Sequence, residues 1–577
     1  MNFVFPPMAP PAAPKGRYEG LSADKLRGGY YTPAAVSEWL CRWAIRDKSD
    51  AIIEPSCGNG SFLGAAASRL TELGATKAAA SRQLLGVELI DAEAQLARDR
   101  LAPILGKAAA KAVAEGDFFA WWDGRGDRGF EAAVGNPPFI RYQSFPEPAR
   151  GRAMALMEGL GFKPNRLTNI WVPFVVAAAE LLRPGGRLAM VIPAELLQVT
   201  YAGQLRSYLT DRFRHIDIVA CNELFFEGAE QEVILLLADG ALPERKAGNV
   251  CRVAMTEVDS VAHLLASDPK QLLSTSEDKD VRGDREKWLK YFLSSKEIGL
   301  LRELRDHVRI VELGELADVD VGIVTGANEF FVLRGQDVAR RRLKSKVQRL
   351  VSRSAHMRGA VLSAEDWAAL DQRDERVHLV DIRIGTNGGL TAAAAAYVAE
   401  GEAKGTHTGY KCSIRKPWYH VPSLWNPDAF LFRQIHDFPR LVLNGAAATA
   451  TDTIHRVRTR GMPAGQLVAG CYTHLTAASA EIEGRSYGGG VLELEPTEAE
   501  RLLVPDAAAM AKALPLAECD AMVRSGRLNA VLEENDRLVL RGGIGLSAAD
   551  CATLKGAWGR MQGRRFARGR SSRKRQA

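Results

Sequence analysis

Ala51-Ile52-Ile53-Glu54-Pro55-Ser56-Cys57-Gly58-Asn59-Gly60-Ser61-Phe62-Leu63 passes from an apolar run, through two glycines, into a stretch with helical spacing. The pattern predicts a buried strand, a tight turn and a helix, with the glycines letting backbone approach a bound ligand closely. A dinucleotide fingerprint would carry a third glycine where this chain has Leu63, so the motif is a poor match to that class. Read alone, it fits an ordinary strand–helix junction.

The surrounding sequence repeats the same alternation. Leu84 to Glu88, Glu131 to Val134 and Arg187 to Pro193 read as buried strands, separated by helical segments at Gly60 to Leu73, Asp91 to Leu101 and Leu167 to Arg183. This βαβα order predicts a doubly wound parallel sheet. His215 to Cys221 and Glu232 to Ala238 add two strands joined through Asn222 to Gln231 without room for a helix, predicting an antiparallel hairpin at the sheet edge.

The strand ends carry chemistry in order. Glu54 opens the glycine turn and includes Ser56, Cys57, Gly58 and Gly60 in its reach; Glu88, 28 residues beyond Gly60, is placed to accept both hydroxyls of a ribose. Asp117-Phe118 is positioned to bond an adenine amino group and cover its ring. Singly, each acid fits an N-cap or a solvated charge; at successive strand ends they describe a nucleoside pocket. After the strand ending at Val134 comes Gly135-Asn136-Pro137-Pro138-Phe139. Two prolines hold an extended turn, so the Asn136 amide and the Pro137 carbonyl converge as acceptors and Phe139 offers a face for a flat ring. The set suits a planar amino group.

These motifs resemble the TaqI-like (gamma-order) adenine-N6 DNA methyltransferases, over nearly the whole chain. Gly28-Gly29-Tyr30-Tyr31-Thr32-Pro33 looks like the family's N-terminal cofactor motif, with Thr32 as N-cap and Pro33 at the first helical position. The resemblance implies S-adenosyl-L-methionine as cofactor, held by Thr32, the Glu54–Gly60 turn, Glu88 with Leu89, Asp117-Phe118 and Asn136, and Asn136-Pro137-Pro138-Phe139 as the catalytic tetrad. The tetrad ends in Phe where many members carry Tyr; stacking needs only the ring. Pro184 to Arg187 with Val191 to Pro193 resembles the later conserved strand. Phe225 in the hairpin, with Phe226 as runner-up, resembles the ring that packs on a flipped base. Val321 to Asn328, Arg415 to Tyr419 and Tyr487 to Leu494 are similar to the recognition domain. The implied fold is a Rossmann-like class I methyltransferase sheet of seven strands with an antiparallel edge hairpin, followed by a mixed α/β target-recognition domain. The implied activity is site-specific methylation of a flipped-out adenine in duplex DNA within a restriction-modification or defence system. No strong general base is required, because hydrogen bonds from the amine to Asn136 and Pro137 aim its lone pair.

Composition agrees with a soluble enzyme. The 577 residues are 46% hydrophobic and 25% charged, ordinary globular values that exclude a disordered or collagen-like chain. No apolar run spans a bilayer, Val172 to Leu182 being about half long enough. The eight cysteines include no Cys-x-x-Cys pair, which argues against a zinc site or disulfide framework. No signal peptide is visible, and a reducing cytoplasmic location is expected.

Residues 551–577 hold nine basic and no acidic side chains, so the net charge of +7 is a property of the tail. Two internal patches are better DNA-contact candidates: Arg334 to Arg358, with Arg340, Arg341, Arg342, Lys344 and Lys346, and residues 401–460, with Arg415, Lys416, Arg456, Arg458 and Arg460. The expected organisation is a Pro-rich disordered arm at 1–27, the methyltransferase domain at 28–245, a linker or excursion at 246–295, the recognition domain at 296–550 and a basic disordered tail at 551–577. The tetrad alone also admits an RNA adenine-N6 or guanine-N2 enzyme, or a protein-glutamine enzyme. A nuclease fusion is disfavoured: 27 residues before Gly28 are too few for a nuclease domain, and Asp268 with Glu277-x-Lys279 has the wrong order for a nuclease centre. A catalytically silent DNA-binding protein is disfavoured because every tetrad position is filled. The expected partners are duplex DNA and, in some systems, a separate cognate restriction endonuclease, with no membrane and no metal; a monomer is implied by analogy.

Overall fold

Short β-branched and apolar runs, buried on both faces, form the centre of the N-terminal half. The computed structural model describes residues 32–123, 129–165, 168–222, 232–281, 286–383, 389–487 and 490–574. It divides into two units between Glu286 and Lys287. In the first, β1 (Ile52–Glu54), β2 (Leu84–Glu88), β3 (Val113–Glu115), β4 (Phe130–Gly135), β5 (Leu182–Pro193), β6 (His215–Cys221), β7 (Val233–Asp239), β8 (Arg252–Val258) and β9 (Asp278–Lys279) build one sheet in the order β3-β2-β1-β4-β5-β7-β6-β8-β9. The strands from β3 to β5 are parallel. Interleaved with them are α1 (Ala34–Ala44), α2 (Ser61–Glu72), α3 (Lys77–Gln83), α4 (Asp91–Leu105), α5 (Phe118–Asp123), α6 (Ala149–Gly159) and α7 (Trp171–Glu180). The apolar stretch of α7 lies in the domain interior, and no helix among the described residues is long and apolar enough to cross a membrane.

Three expectations are corrected here. The sheet has nine strands rather than seven. The β6–β7 hairpin is antiparallel, as expected, but lies inside the sheet: β7 inserts between β5 and β6, and β8 pairs parallel with β6. The supposed linker at 246–295 supplies β8 and β9, which extend the sheet. The alternation Arg252-Val253-Ala254-Met255-Thr256-Glu257-Val258 carries that strand, and polar neighbours masked it. Asp268 caps the helix Pro269–Ser274 by accepting from the Lys270 and Gln271 N–H groups, and Lys279 is ion-paired with Glu277, so these residues have structural roles.

The second unit is mixed α/β, as the sequence predicts. A five-stranded sheet runs in the order Ala317–Asp320, Ile454–Thr459, Ala429–Phe432, Leu441–Asn444, Val361–Leu362. The basic terminus departs from expectation. It is the helix Ala548–Lys574, not a disordered tail. Cys551, Leu554, Ala557, Trp558 and Met561 recur at helical spacing and are buried. Arg565, 1% exposed, donates Nε and Nη2 to the two Glu481 carboxylate oxygens at 3.0 and 2.6 Å. The Arg564 guanidinium lies 3.7 Å from the centre of the Phe292 ring. Charge composition concealed an apolar stripe.

Candidate active site

The site follows from the strand order. The chain winds outward from β1 through β2 to β3 on one side, and through β4 to β5 on the other. The carboxyl ends of β1 and β4 therefore flank a topological switch point, where open α/β sheets leave a crevice. Glu54, Glu88, Asp117 and Asn136 stand at or just beyond the ends of β1, β2, β3 and β4, four neighbouring strands.

The glycine turn is built as its residues require. Gly58 and Gly60 adopt φ of 48° and 76°, and a Cβ on Gly60 would lie 2.8 Å from Ala97 Cα. The Cys57 N–H donates to Val87 O at 3.0 Å, joining the turn to β2. Burial pushes the Cys57 thiol well up, with Glu54 and Glu88 adding to the effect. Ser61 Oγ donates to Thr32 O at 3.1 Å, bringing the N-terminal motif to the turn. Thr32 is not the expected N-cap: α1 begins at Ala34, with Pro33 in the cap position and no side-chain cap bond. The Thr32 hydroxyl is instead buried, with no hydrogen-bond partner among the described residues.

Two buried acids organise the crevice. Glu54 Oε2 accepts the Leu63 N–H at 3.0 Å, and its Cγ would sit 3.4 Å from a Cβ at Gly135, where the tetrad begins. Burial raises its carboxyl well above the ordinary glutamate range. Glu88 accepts from Gly58 N–H through Oε2 at 2.8 Å and from Ile90 N–H through Oε1 at 3.0 Å. Burial raises this carboxyl too, against the lowering effect of those bonds. Beyond it, Leu89 is 53% and Ile90 40% exposed, an apolar surface beside a carboxylate.

At β3, Asp117 Oδ1 accepts the Phe119 N–H at 3.1 Å and Oδ2 accepts Arg152 Nη1 at 3.0 Å. Phe118 corrects the sequence reading. It is 3% exposed and stacked with Trp121 and Phe174, so it builds the wall under the site rather than lying open over a ring. The tetrad leaves β4 with Pro137 buried and Asn136, Pro138 and Phe139 half-buried. Phe139 packs on the core cluster of the sheet. The exit is fixed by the Ile170 N–H donating to Ile140 O at 2.9 Å and by a bridge between Arg141 and Asn169. Sequence reasoning missed Ile90, Asn169 and Arg152. Arg152 lies in a stretch without a motif, so nothing in the sequence marked it. Phe225, Phe226 and Gly28 to Tyr31 lie outside the described residues.

In the second unit the basic candidates separate. Arg456 is 3% exposed and donates to Val321 O and Ser423 O. Arg415 donates to Thr325 O at 2.7 Å and Val324 O at 2.6 Å. Both arginines brace the Val321–Asn328 loop; Arg456 is buried there, which corrects its reading as a groove contact, whereas Arg415 is half-buried. Arg341 pairs with Glu400 and Asp337, Arg340 with Asp337, and Arg460 with Asp318. Lys346 is half-buried, whereas Arg342, Lys344, Lys416 and Arg458 are exposed, Arg458 with its guanidinium 4.4 Å over the Trp425 ring.

A doubly wound sheet with a glycine turn and an Asn-Pro-Pro-Phe loop at its switch point is consistent with the Rossmann-like methyltransferase fold. Residues 19–261 match the family N-6 DNA Methylase, and residues 285–540 match the C-terminal domain of Type II methyltransferase M.Eco57I. The chain thus carries an N-6 DNA methylase domain followed by a domain of the M.Eco57I C-terminal family. Type II methyltransferase M.XamI of Xanthomonas campestris pv. amaranthicola is 23% identical over 491 residues, covering 83% of this chain and 85% of the relative. Type II methyltransferase M.AccI of Acinetobacter calcoaceticus is 19% identical over 490 residues with the same coverage. The fold is also similar to that of the Type IIL restriction-modification enzyme MmeI, solved in complex with DNA: TM-score 0.52, 13% identity, covering 92% of this chain and 75% of that one.

Proposed function

We propose that the chain transfers a methyl group from S-adenosyl-L-methionine to the N6 amine of an adenine flipped out of duplex DNA, at a short sequence read by residues of the second unit. The observation that carries this reading is the row of Glu54, Glu88, Asp117 and Asn136 at the ends of four neighbouring strands. The residues present fit the cofactor. The Gly58–Gly60 turn leaves backbone open to close approach, Glu88 has lone pairs left for ribose hydroxyls, Leu89 and Ile90 offer apolar surface to a purine, and the buried Thr32 hydroxyl lacks a partner among the described residues. Bound there, the cofactor supplies an electrophilic sulfonium methyl.

The chain's own contribution is positioning. The Asn136 amide oxygen and the Pro137 carbonyl accept the two hydrogens of the target amine, which directs its lone pair out of conjugation. Phe139 stacks on the flipped base and offsets part of the few kcal/mol that unstacking costs. With acceptors fixed in advance, orientation and electrostatics account for the acceleration and no strong base is needed. The order of motifs, with cofactor turn, then tetrad, then recognition unit, supports the gamma arrangement. The match of residues 19–261 to the N-6 DNA Methylase family favours DNA over RNA. The reading further implies a modification role beside a cognate nuclease, in the cytoplasm, by a monomer. Expression in a host lacking adenine methylation, followed by modification-sensitive long-read sequencing, tests it. N6-methyladenine at one short motif, absent with Asn136→Ala, is expected; unmodified DNA from folded enzyme overturns the DNA reading.

A further inference from the structure

We infer that Arg152 is a positioning residue for the cofactor's adenine, holding the Asp117 carboxylate in its accepting orientation and tying that acceptor to the segment that follows the catalytic loop. The inference rests on the reading of Asp117 as the group that accepts the adenine amine. Asp117 has two oxygens and about four lone-pair sites. The Phe119 N–H fills one site on Oδ1, and Arg152 Nη1 fills one on Oδ2. The remaining sites, on both oxygens, lie in the carboxylate plane, whose orientation these two donors hold. With Arg152 removed, a single backbone N–H would hold the carboxylate, and rotation about its side-chain bond would be free to swing the second oxygen away.

Arg152 is well placed for this duty and poorly placed for a purely structural one. The pair sits at a rim, with the Asp117 side chain 16% and the Arg152 side chain 38% exposed. Partly exposed pairs of this kind contribute modestly to folding. The guanidinium stands on the first turn of α6, 13 residues after Phe139. The chain between them is anchored against neighbouring elements: Ile140 O accepts the Ile170 N–H, Arg141 bridges to Asn169, and the Phe145 ring packs edge-on against Phe119 at 6.4 Å. Phe119 also donates the N–H that holds Asp117 Oδ1. The segment leaving the tetrad therefore reaches the adenine acceptor at two points, through Phe145 and through Arg152. Filling of the cofactor pocket and the geometry of the catalytic loop share one element.

The test uses the full-length protein and two nucleoside ligands, S-adenosylhomocysteine and its inosine counterpart, in which the amine is replaced by a carbonyl. Titration calorimetry should show the wild type preferring the adenosine form, with Arg152→Ala losing about tenfold of that preference and Arg152→Lys recovering part of it. KM for S-adenosyl-L-methionine should rise by a similar factor while kcat at saturation falls far less. Arg150→Ala, on the same turn, serves as the control; its guanidinium packs over Tyr142. An Arg152→Ala variant that melts like the wild type and keeps the wild-type preference overturns the inference alone. A wild type that binds both ligands equally overturns the reading of Asp117 itself.

Discussion

Glu88 Oε2 accepts the Gly58 backbone N–H at 2.8 Å. The acid at the end of β2 and the glycine turn after β1 are thus one unit, so whatever ligand Glu88 holds also meets the turn in a fixed shape. Because burial raises the Glu88 carboxyl, its charge is lost at a higher pH than for an exposed glutamate. The ionised form accepts ribose hydroxyls. Cofactor affinity is therefore expected to rise with pH through the mildly acidic range and then level off. For folding the sign is opposite: a raised carboxyl contributes stability that is full below its unfolded-state pKa and fades as pH rises through the folded value. KM for S-adenosyl-L-methionine, measured from about pH 5 to 8, should fall with pH in the wild type. Glu88→Gln should raise KM and flatten that dependence; an identical limb in the variant would remove Glu88 from the explanation.

Gly60 has no room for a side chain. Its φ of 76° disfavours any Cβ, and the space is filled by Ala97. Gly60→Ala should lower stability by roughly 2 kcal/mol, through strain and displacement of α4. Thermal melting would show the drop, and cofactor binding should weaken with it. An unchanged melting temperature would mean that the turn relaxes more freely than its packing allows.

Asn136→Ala should remove one of the two acceptors that orient the amine while leaving the cofactor turn intact. A loss of about 10²–10³ in kcat is expected, the scale seen when one preorganised transition-state partner is deleted. Affinity for S-adenosylhomocysteine should stay within about threefold of wild type. Near-normal kcat would show that the Pro137 carbonyl and stacking suffice.

The parts of this molecule that follow from local pattern were legible in the sequence. Ile52 to Glu54 and the glycines after it announce strand, turn and helix, and Glu88 and Asn136 follow the apolar runs that form β2 and β4. What escaped depends on pairing at a distance. Nothing local tells β7 to insert between β5 and β6, or Arg252 to Val258 to join β6. The Asp117–Arg152 pair spans 35 positions and has no motif. Phe118 shows the converse: its place in the motif suggested an open ring, but Trp121 and Phe174, brought in by α5 and α7, enclose it.

The C-terminal helix supplies a fourth expectation. Arg565 and Glu481 are buried against each other in a two-point pair. Removing one member leaves an uncompensated charge, so Arg565→Ala should cost about 3–5 kcal/mol, whereas Arg565→Met combined with Glu481→Leu should recover much of it. Denaturant unfolding separates the two. A neutral Arg565→Ala would restore the reading of this end of the chain as a dispensable basic tail.

Arg456 and Arg458 sit two residues apart on one strand, and the structure assigns them different work. Arg456 is spent on Val321 O and Ser423 O; without it, these hydrogen bonds from a buried charged donor are lost, and Arg456→Ala should destabilise the unit by about 1–3 kcal/mol. Arg458 is exposed, with its guanidinium stacked on Trp425 and Asp318 in electrostatic reach, and its exposed donors can meet a phosphate or a base edge. Arg458→Ala should melt like the wild type. If it contacts a phosphate, DNA affinity should fall equally on cognate and non-cognate duplexes, with the salt slope reduced by about one. If it reads a base, the loss should be confined to the cognate duplex, by about 1–3 kcal/mol. Fluorescence anisotropy across a salt series distinguishes these outcomes, and unchanged affinity on both duplexes would take Arg458 out of the DNA interface.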